Sequence, residues 1–197
     1  MNLAFLGDAL DHWKGSLFES MRNAGVMQDL AIEPMASDLN AWTMSDFRLF
    51  AQLLRVQPEQ ILCHSKTLAD REAYFAEITH RGDLFVDPDT GVATGPVNQR
   101  KQYITPREVG DLLDAETGRL LAIYQHGCRQ PMAQRVDTVL DAICRVIGVF
   151  SWSSYESGTV AMLFLSRNES RAAEIARHFE GFLGRHAEGR IRKGVRP

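Results

Sequence analysis

The sequence predicts a single α/β domain, with a mostly parallel sheet, helices on both faces and a C-terminal antiparallel hairpin. Short apolar runs alternate with helical apolar periods along most of the chain, which is typical of the strand–helix–strand units that build a parallel sheet. Two β-rich runs, 149–155 and 159–166, then meet across Glu156-Ser-Gly158, and this short polar link favours a hairpin. A chain of 197 residues is long enough to bury one core of this kind.

Four short apolar runs are the predicted parallel strands. They have the length and the Leu, Ile, Val and Phe content of strands covered on both faces, and they span 30–35, 60–64, 84–87 and 120–125. Helices are predicted where apolar residues recur at helical spacing or where a capping residue begins such a stretch. These helices cover 8–23, a segment after Thr43, 69–80, a segment after Thr105, Met132 to Ile147, and 168–184. The arrangement is Rossmann-like, with one domain over residues 1–184 and a basic C-terminal tail at 185–197.

Composition predicts a soluble protein of a reducing compartment. Hydrophobic residues make up 45% of the chain and charged residues 24%, as in ordinary globular proteins. The net charge of −3 provides no global attraction to nucleic acid, so such a contact would need a local basic patch. Cys63, Cys128 and Cys144 form no CxxC pair, which argues against disulfides and zinc.

No apolar run is long enough to cross a bilayer and the N-terminus does not resemble a signal peptide. We therefore expect a cytoplasmic protein without a membrane partner, and the oligomeric state is left open.

Polar side chains follow each of the four predicted strands. In an open parallel sheet, ligands bind at the carboxyl ends of the strands, so these side chains are the first candidates for a site. They are Glu33, His64, Lys66, Asp87, Asp89, Gln125 and His126.

Asp87 and Asp89 belong to the segment Asp87-Pro-Asp-Thr-Gly91, directly after a predicted strand. Asp87 could accept a hydrogen bond from an amine, or both carboxylates could hold a divalent cation such as Mg²⁺ or Mn²⁺. The same residues also make a good turn, in which Asp side chains cap backbone amides. His126 has two similar interpretations, as a base that acts on a substrate or as a structural histidine.

Two further segments carry charge. Asp8 is suited to cap the first helix, and Asp11 and Lys14 stand one helical turn apart, a spacing that favours a surface ion pair. Basic residues dominate the C-terminal tail, where they either contact the phosphates of a nucleic acid or are simply solvated. They are Arg185, Arg190, Arg192, Lys193 and Arg196.

Several common catalytic motifs are absent from the sequence. There is no P-loop, no Gly-x-Ser-x-Gly elbow and no His-Glu-x-x-His, so NTP hydrolysis and serine-hydrolase chemistry are not expected. The first predicted strand is followed by Glu33-Pro-Met-Ala-Ser-Asp38 instead of a glycine-rich nucleotide loop.

Three segments in this order resemble a set of uncharacterised bacterial proteins: Gly7-Asp8-x-x-Asp11-x-x-Lys14, Phe85-Val-Asp-Pro-Asp-Thr-Gly91 and Tyr124-Gln-His126. That set carries GDxxDxxKxxLL, FxDPDNG and YQH motifs and is distantly similar to the ribosomal-RNA adenine-N6 methyltransferases, whose fold also closes with a hairpin. The resemblance implies S-adenosylmethionine near Asp8, Asp11, Lys14 and Glu33, and it implies that Asp87 engages the amino group of the target base. With the strand-end candidates Asp89 and His126, Asp87 forms the predicted catalytic set. Asp89-Thr90 departs from the Pro-Tyr of the methyltransferase Asp-Pro-Pro-Tyr motif.

Three functions therefore stay open. The first is a methyltransferase homologue, active or degenerate, that acts on nucleic acid. The second is a metal-dependent nuclease or phosphoesterase that uses Asp87 and Asp89 with Mg²⁺ or Mn²⁺. The third is a binding or assembly protein without catalysis. The sequence leaves undecided whether the chain is an enzyme.

Overall fold

The computed structural model describes residues 1–96, 100–127 and 129–197, so Cys128 lies outside the described part of the chain. The helices are α1 (Ala9–Asn23), α2 (Met44–Leu53), α3 (Arg71–Ala76), α4 (Pro106–Asp114), α5 (Met132–Ile147) and α6 (Glu169–Leu183). The strands are β1 (Ala31–Glu33), β2 (Leu84–Val86), β3 (Gly91–Val92), β4 (Tyr103–Ile104), β5 (Leu121–His126), β6 (Phe150–Ser157), β7 (Val160–Ser166) and β8 (Ile191–Arg196).

A six-stranded mixed sheet with the order β1-β2-β5-β7-β6-β8 forms the centre of the molecule. Parallel pairing joins β1 to β2 and β2 to β5. Antiparallel pairing joins β5 to β7, β7 to β6 and β6 to β8. The predictions of an α/β fold and of a hairpin formed by the runs 149–155 and 159–166 are confirmed, but the prediction of a mostly parallel sheet is wrong. The hairpin is not an appendage, because β7 pairs directly with β5 and extends the sheet in antiparallel sense.

The predicted strand at 60–64 is a second correction. Among the described residues, its only ladder contact is an isolated parallel bridge between Ile32 and Ile61, directly after the short 3₁₀ helix Pro58–Gln60. The segment lies beside β1 on one side. The polar residue at its end, His64, bonds to the Glu33 side chain. One bridge is too little pairing for a strand.

The basic C-terminal stretch is also more than a tail. Its residues Ile191–Arg196 form β8, which pairs with β6 in register from Tyr155↔Ile191 to Phe150↔Arg196. The open edge of β6 supplies hydrogen-bonding partners for this strand. Residues 185–197 are therefore partly integrated into the sheet.

Helices cover both faces of the sheet, as the sequence predicts. The core on one face includes residues of α1, α2 and α6, and the core on the other includes residues of α3, α4 and α5. Because both faces of the sheet are covered, successive side chains of β5 enter opposite cores. Ala122 and Tyr124 belong to one core, and Leu121 and Ile123 to the other. In the described residues, no helix is long and apolar enough to cross a membrane.

Candidate functional site

The three motif segments line one cavity of about 160 Å³, at the carboxyl ends of β2 and β5. We call it the motif cavity. Its walls contain residues from the start of α1, from the turn after β2 and from the end of β5. The motif residues among them are Asp8, Asp11, Lys14, Asp87, Asp89, Tyr124 and His126.

The start of α1 places Lys14 beside the turn after β2. Asp8 caps the helix, because its Oδ1 accepts bonds from the backbone N–H groups of Leu10 (2.8 Å) and Asp11 (3.2 Å). One turn later, Lys14 Nζ lies 3.1 Å from Asp11 Oδ1 and 2.8 Å from Asp87 Oδ2. The Asp11–Lys14 pair is thus buried, whereas the spacing alone favoured a surface pair. Burial by itself would lower the pKa of Lys14, but the charges of Asp87 and Asp11 outweigh it and raise that pKa.

Tyr124 and His126 complete the wall on the β5 side. Lys14 Nζ lies 4.3 Å from the centroid of the Tyr124 ring, a cation–π contact, and the Tyr124 hydroxyl lies 3.2 Å from His126 Nε2. Burial, and then the charge of Lys14, lower the pKa of His126. Burial raises the pKa of the Tyr124 hydroxyl. At neutral pH the cavity therefore contains an uncharged phenol beside an uncharged imidazole, which can accept or donate a proton.

The turn after β2 is held by an ammonium group. The α-amino nitrogen of Met1 donates to the backbone carbonyls of Pro34 (2.7 Å), Met35 (2.8 Å) and Asp87 (2.7 Å), and lies 3.1 Å from Asp89 Oδ1. Burial lowers the pKa of this amino group, and the charges of Asp87 and Asp89 act against that change. No sequence motif predicts this contact, because the α-amino group belongs to the backbone and is not a side chain whose type and spacing can be recognised.

The carboxylates of Asp87 and Asp89 do not behave as turn caps. Among the hydrogen bonds of the described residues, neither carboxylate accepts one from a backbone amide; Asp87 pairs with Lys14, and Asp89 with the α-amino group. Within the same residues, Asp89 Oδ2 is buried and has no hydrogen-bond partner.

Glu33, which the resemblance places at the cofactor site, does not line the motif cavity. Its side chain is fully buried and accepts bonds from the backbone N–H of Met35 (2.7 Å), the Tyr74 hydroxyl and His64 Nε2. Burial by itself would lower the pKa of His64, but its hydrogen bond to Glu33 and the charges of Glu33 and Glu77 raise it. Glu33 thus belongs to a separate buried network with Tyr74, a residue of the predicted helix 69–80 that no motif pointed to.

The motif cavity gives little support to the predicted metal site, because the carboxylates that would bind a metal ion are already paired. The part of the chain that the structure describes contains no group of three or more His, Cys, Asp or Glu side chains that could hold a metal ion. Asp87 and Asp89, the two predicted metal ligands, each already face an ammonium group.

The basic residues of β8 are paired with acids. Arg192 contacts Asp137 (2.6 Å) and Glu156 (3.2 Å), and Arg196 contacts Asp137 (2.7 Å). Lys193 lies 2.9 Å from Glu180. The structure thus places three of the five basic residues of the predicted tail in ion pairs on the sheet edge.

No protein-family model and no curated protein matches the sequence. Among solved structures, the chain is similar to the crystal structure of protein LPL1258 from Legionella pneumophila, which is described by the family model DUF519. The TM-score is 0.40 and the identity 10%, over 80% of this chain and 63% of that chain. The chain therefore spans less than two thirds of that protein. A likeness at this level does not bear on the motifs or on the function.

Proposed function

We propose that this chain is a degenerate methyltransferase-like protein, in which the motif cavity binds a small polar group of a ligand without transferring a methyl group. The observation that carries the proposal is the contact of 2.8 Å between Lys14 and Asp87, with Tyr124 packed against the same ammonium group. Three segments far apart in the chain thereby converge on one cavity at the edge of the sheet where α/β proteins bind ligands.

The order of the strands supports the methyltransferase-like part of the proposal. Three parallel strands, β1, β2 and β5, are followed by the antiparallel hairpin of β6 and β7. The class I methyltransferase fold closes with such a hairpin. This is a likeness of architecture, and activity has to be argued from the site itself.

The residues present do not fit S-adenosylmethionine. The cavity of about 160 Å³ is smaller than the roughly 300–1,000 Å³ of pockets that enclose ligands of that size. The carbonyls of Pro34 and Met35, after β1, are bound by the α-amino group, and Glu33 is occupied by its own network. Asp89-Thr90 stands where the methyltransferases that the chain resembles have Pro-Tyr. For these reasons the proposed function is ligand binding without methyl transfer.

A nucleic-acid ligand, which the resemblance implies, has little support from charge. Four carboxylates in the cavity wall face two ammonium groups, so negative charge is in excess there when His126 is neutral. The cations of β8 are paired with acids. Cations that already pair with acids have less charge available for the phosphates of a polyanion.

Isothermal titration calorimetry with S-adenosylmethionine and with its demethylated product tests whether the chain binds this cofactor. We expect no saturable heat for either compound. Saturable binding that Asp8→Asn weakens would contradict the proposal and favour an active methyltransferase.

A second experiment tests the binding function directly. Backbone resonances of residues 5–14, 87–89 and 124–126 are followed by NMR during titration with small amines, alcohols, carboxylic acids and nucleosides. At least one class should shift these resonances saturably. If no class does so, the cavity is not a ligand site.

A further inference from the structure

We propose that the motif cavity binds a protonated primary amine, and that Asp89 is the residue that recognises it. This inference rests on the proposed function, since it names the chemical class of the ligand for that same cavity. It goes beyond the resemblance, in which the first Asp of the motif, here Asp87, engages a neutral amino group.

Asp89 has an unused acceptor in a buried position. Its side chain is 9% exposed, and Oδ1 lies 3.1 Å from the α-amino nitrogen of Met1. Oδ2 is buried and has no partner among the described residues. A buried carboxylate oxygen without a donor is unfavourable and is rare in native proteins. Because Asp89 lines the cavity, a donor group of a ligand in the cavity can supply the missing bond.

Asp87, unlike Asp89, has a side-chain partner of opposite charge among the described residues. Its carboxylate pairs with Lys14 at 2.8 Å, with side-chain exposures of 2% and 3% for the two residues. Lys14 in turn also holds Asp11 at 3.1 Å. Asp87 Oδ2 is thus bound by Lys14, whereas Asp89 Oδ2 has no partner among the described residues and offers a free acceptor to a ligand.

The charge of the cavity selects a cation. Besides Asp89, the wall contains Asp8, Asp11 and Asp87, against the ammonium groups of Lys14 and Met1. A carboxylate or phosphate ligand would be repelled by this excess of negative charge, and a neutral alcohol would gain little from it. Asp89 already pairs with an ammonium nitrogen through Oδ1, so its carboxylate is compatible with that donor class.

The size and the apolar part of the wall limit the ligand to a short amine. A volume of about 160 Å³ is close to the roughly 150 Å³ of a cavity that admits benzene. Phe5, which is 60% exposed, and Leu10 add apolar surface to the wall. An aromatic ring close to carboxylates suits an alkylammonium group, because the ring attracts the cation and packs against its chain.

NMR titration with three molecules of similar shape tests the inference at pH 7: n-butylamine, n-butanol and butyrate. Butylamine is a cation at this pH, because the pKa of a primary alkylamine is near that of Lys, about 10.4. We expect butylamine to shift the resonances of residues 5–14 and 87–89 saturably, and to bind about tenfold or more tightly than butanol. Butyrate should not bind. Equal binding of butanol, or no binding of butylamine, would overturn the inference.

Two variants assign the recognition to Asp89. Asp89→Asn should weaken butylamine binding about tenfold or more, whereas Glu59→Gln, which removes an exposed charge outside the cavity, should leave it unchanged. An unchanged affinity in Asp89→Asn would overturn the role of Asp89. If that variant does not fold, the comparison of butylamine with butanol on the unaltered chain still decides the class of ligand. A nucleoside that shifts the same resonances while butylamine does not would disprove the amine and leave the proposed function intact.

Discussion

Lys14 Nζ lies 2.8 Å from Asp87 Oδ2, although the two residues are 73 positions apart in the chain. Their side chains are only 3% and 2% exposed. Lys14 also bonds to Asp11 Oδ1 at 3.1 Å, so one buried cation pairs with two carboxylates. The contact joins α1 to the end of β2, so that residues of both segments line the same motif cavity.

The first prediction concerns the loss of this cation. Lys14→Met leaves Asp11 and Asp87 buried without a counter-charge, and should lower the free energy of unfolding by about 3–5 kcal/mol. Urea denaturation measures the change. The control is Lys193→Met, whose pair with Glu180 is 43% and 40% exposed and should cost about 1 kcal/mol or less.

A double variant separates charge from packing. If an unpaired carboxylate is the cause, Asp87→Asn combined with Lys14→Met should recover part of the lost stability. A Lys14→Met variant that is as stable as Lys193→Met would show that the ion pair contributes little.

The second prediction concerns the titration of His126. Burial and Lys14 lower its pKa in the fold, while Asp87, Asp8 and Asp89 act in the opposite direction. As the pH falls below the ordinary histidine value of about 6.5, the unfolded chain takes up a proton that the folded His126 does not, so stability is lost. NMR of the imidazole C–H resonances should give a midpoint below that value, and His126→Gln should reduce the loss of stability at acid pH. A midpoint above it would contradict the prediction.

The third prediction concerns His64, which should titrate in the opposite direction. Its bond to Glu33 and the charges of Glu33 and Glu77 raise its pKa against the effect of burial. A raised pKa contributes stability that is present below the unfolded value of about 6.5 and is lost as the pH rises through the folded value. The same NMR titration should place His64 above this value, and Glu33→Gln should move it down. An unchanged midpoint in that variant would show that Glu33 is not the cause.

The fourth prediction concerns Tyr74, whose hydroxyl donates to the buried carboxylate of Glu33. Tyr74 is fully buried and its ring stacks on His64, with 4.0 Å between the centroids. Tyr74→Phe keeps the ring but removes a bond to a charged group, so it should lower the free energy of unfolding by about 1.5–3 kcal/mol. Tyr103→Phe, at a half-buried position, is the control and should cost about 0.5 kcal/mol or less. Equal effects of the two changes would argue against the network around Glu33.

The fifth prediction concerns the attachment of β8. Asp137 Oδ1 lies 2.6 Å from Arg192 and 2.7 Å from Arg196, so one carboxylate clamps the strand at two points. Asp137→Asn should speed the hydrogen exchange of β8 amides about threefold to tenfold, because the edge strand opens more easily. Asp141 lies 3.6 Å from Arg196 Nε and is 60% exposed, so Asp141→Asn should have little effect. If both variants exchange alike, the strand is held by its backbone pairing to β6.

Local features of the fold could be predicted because short-range chemistry determines them. The helices after Thr43 and Thr105 begin where predicted, and both have the capping box. The capping bonds involve residues three positions apart and do not depend on the rest of the fold. The hairpin of β6 and β7 was also predictable, since its strands adjoin in the chain.

The strand order and β8 could not be predicted in the same way. Nothing in the run 120–125 indicates that one of its neighbours will be the antiparallel β7, and nothing in the basic stretch after 185 indicates that it will cover the edge of β6. These pairings join segments distant in the chain, and such contacts depend on the competition among all exposed strand edges.

For the candidate site, the sequence by itself determined which residues carry charge and that Asp87, Asp89 and His126 follow strands. The tertiary structure alone decided their partners. It buries Lys14 between Asp11 and Asp87. It places Glu33 outside the motif cavity, where Glu33 accepts a hydrogen bond from Tyr74. It leaves one oxygen of Asp89 without a partner among the described residues. The physical reason is that burial and charge pairing arise from residues far apart in the chain, whereas a motif records only the spacing of its own residues.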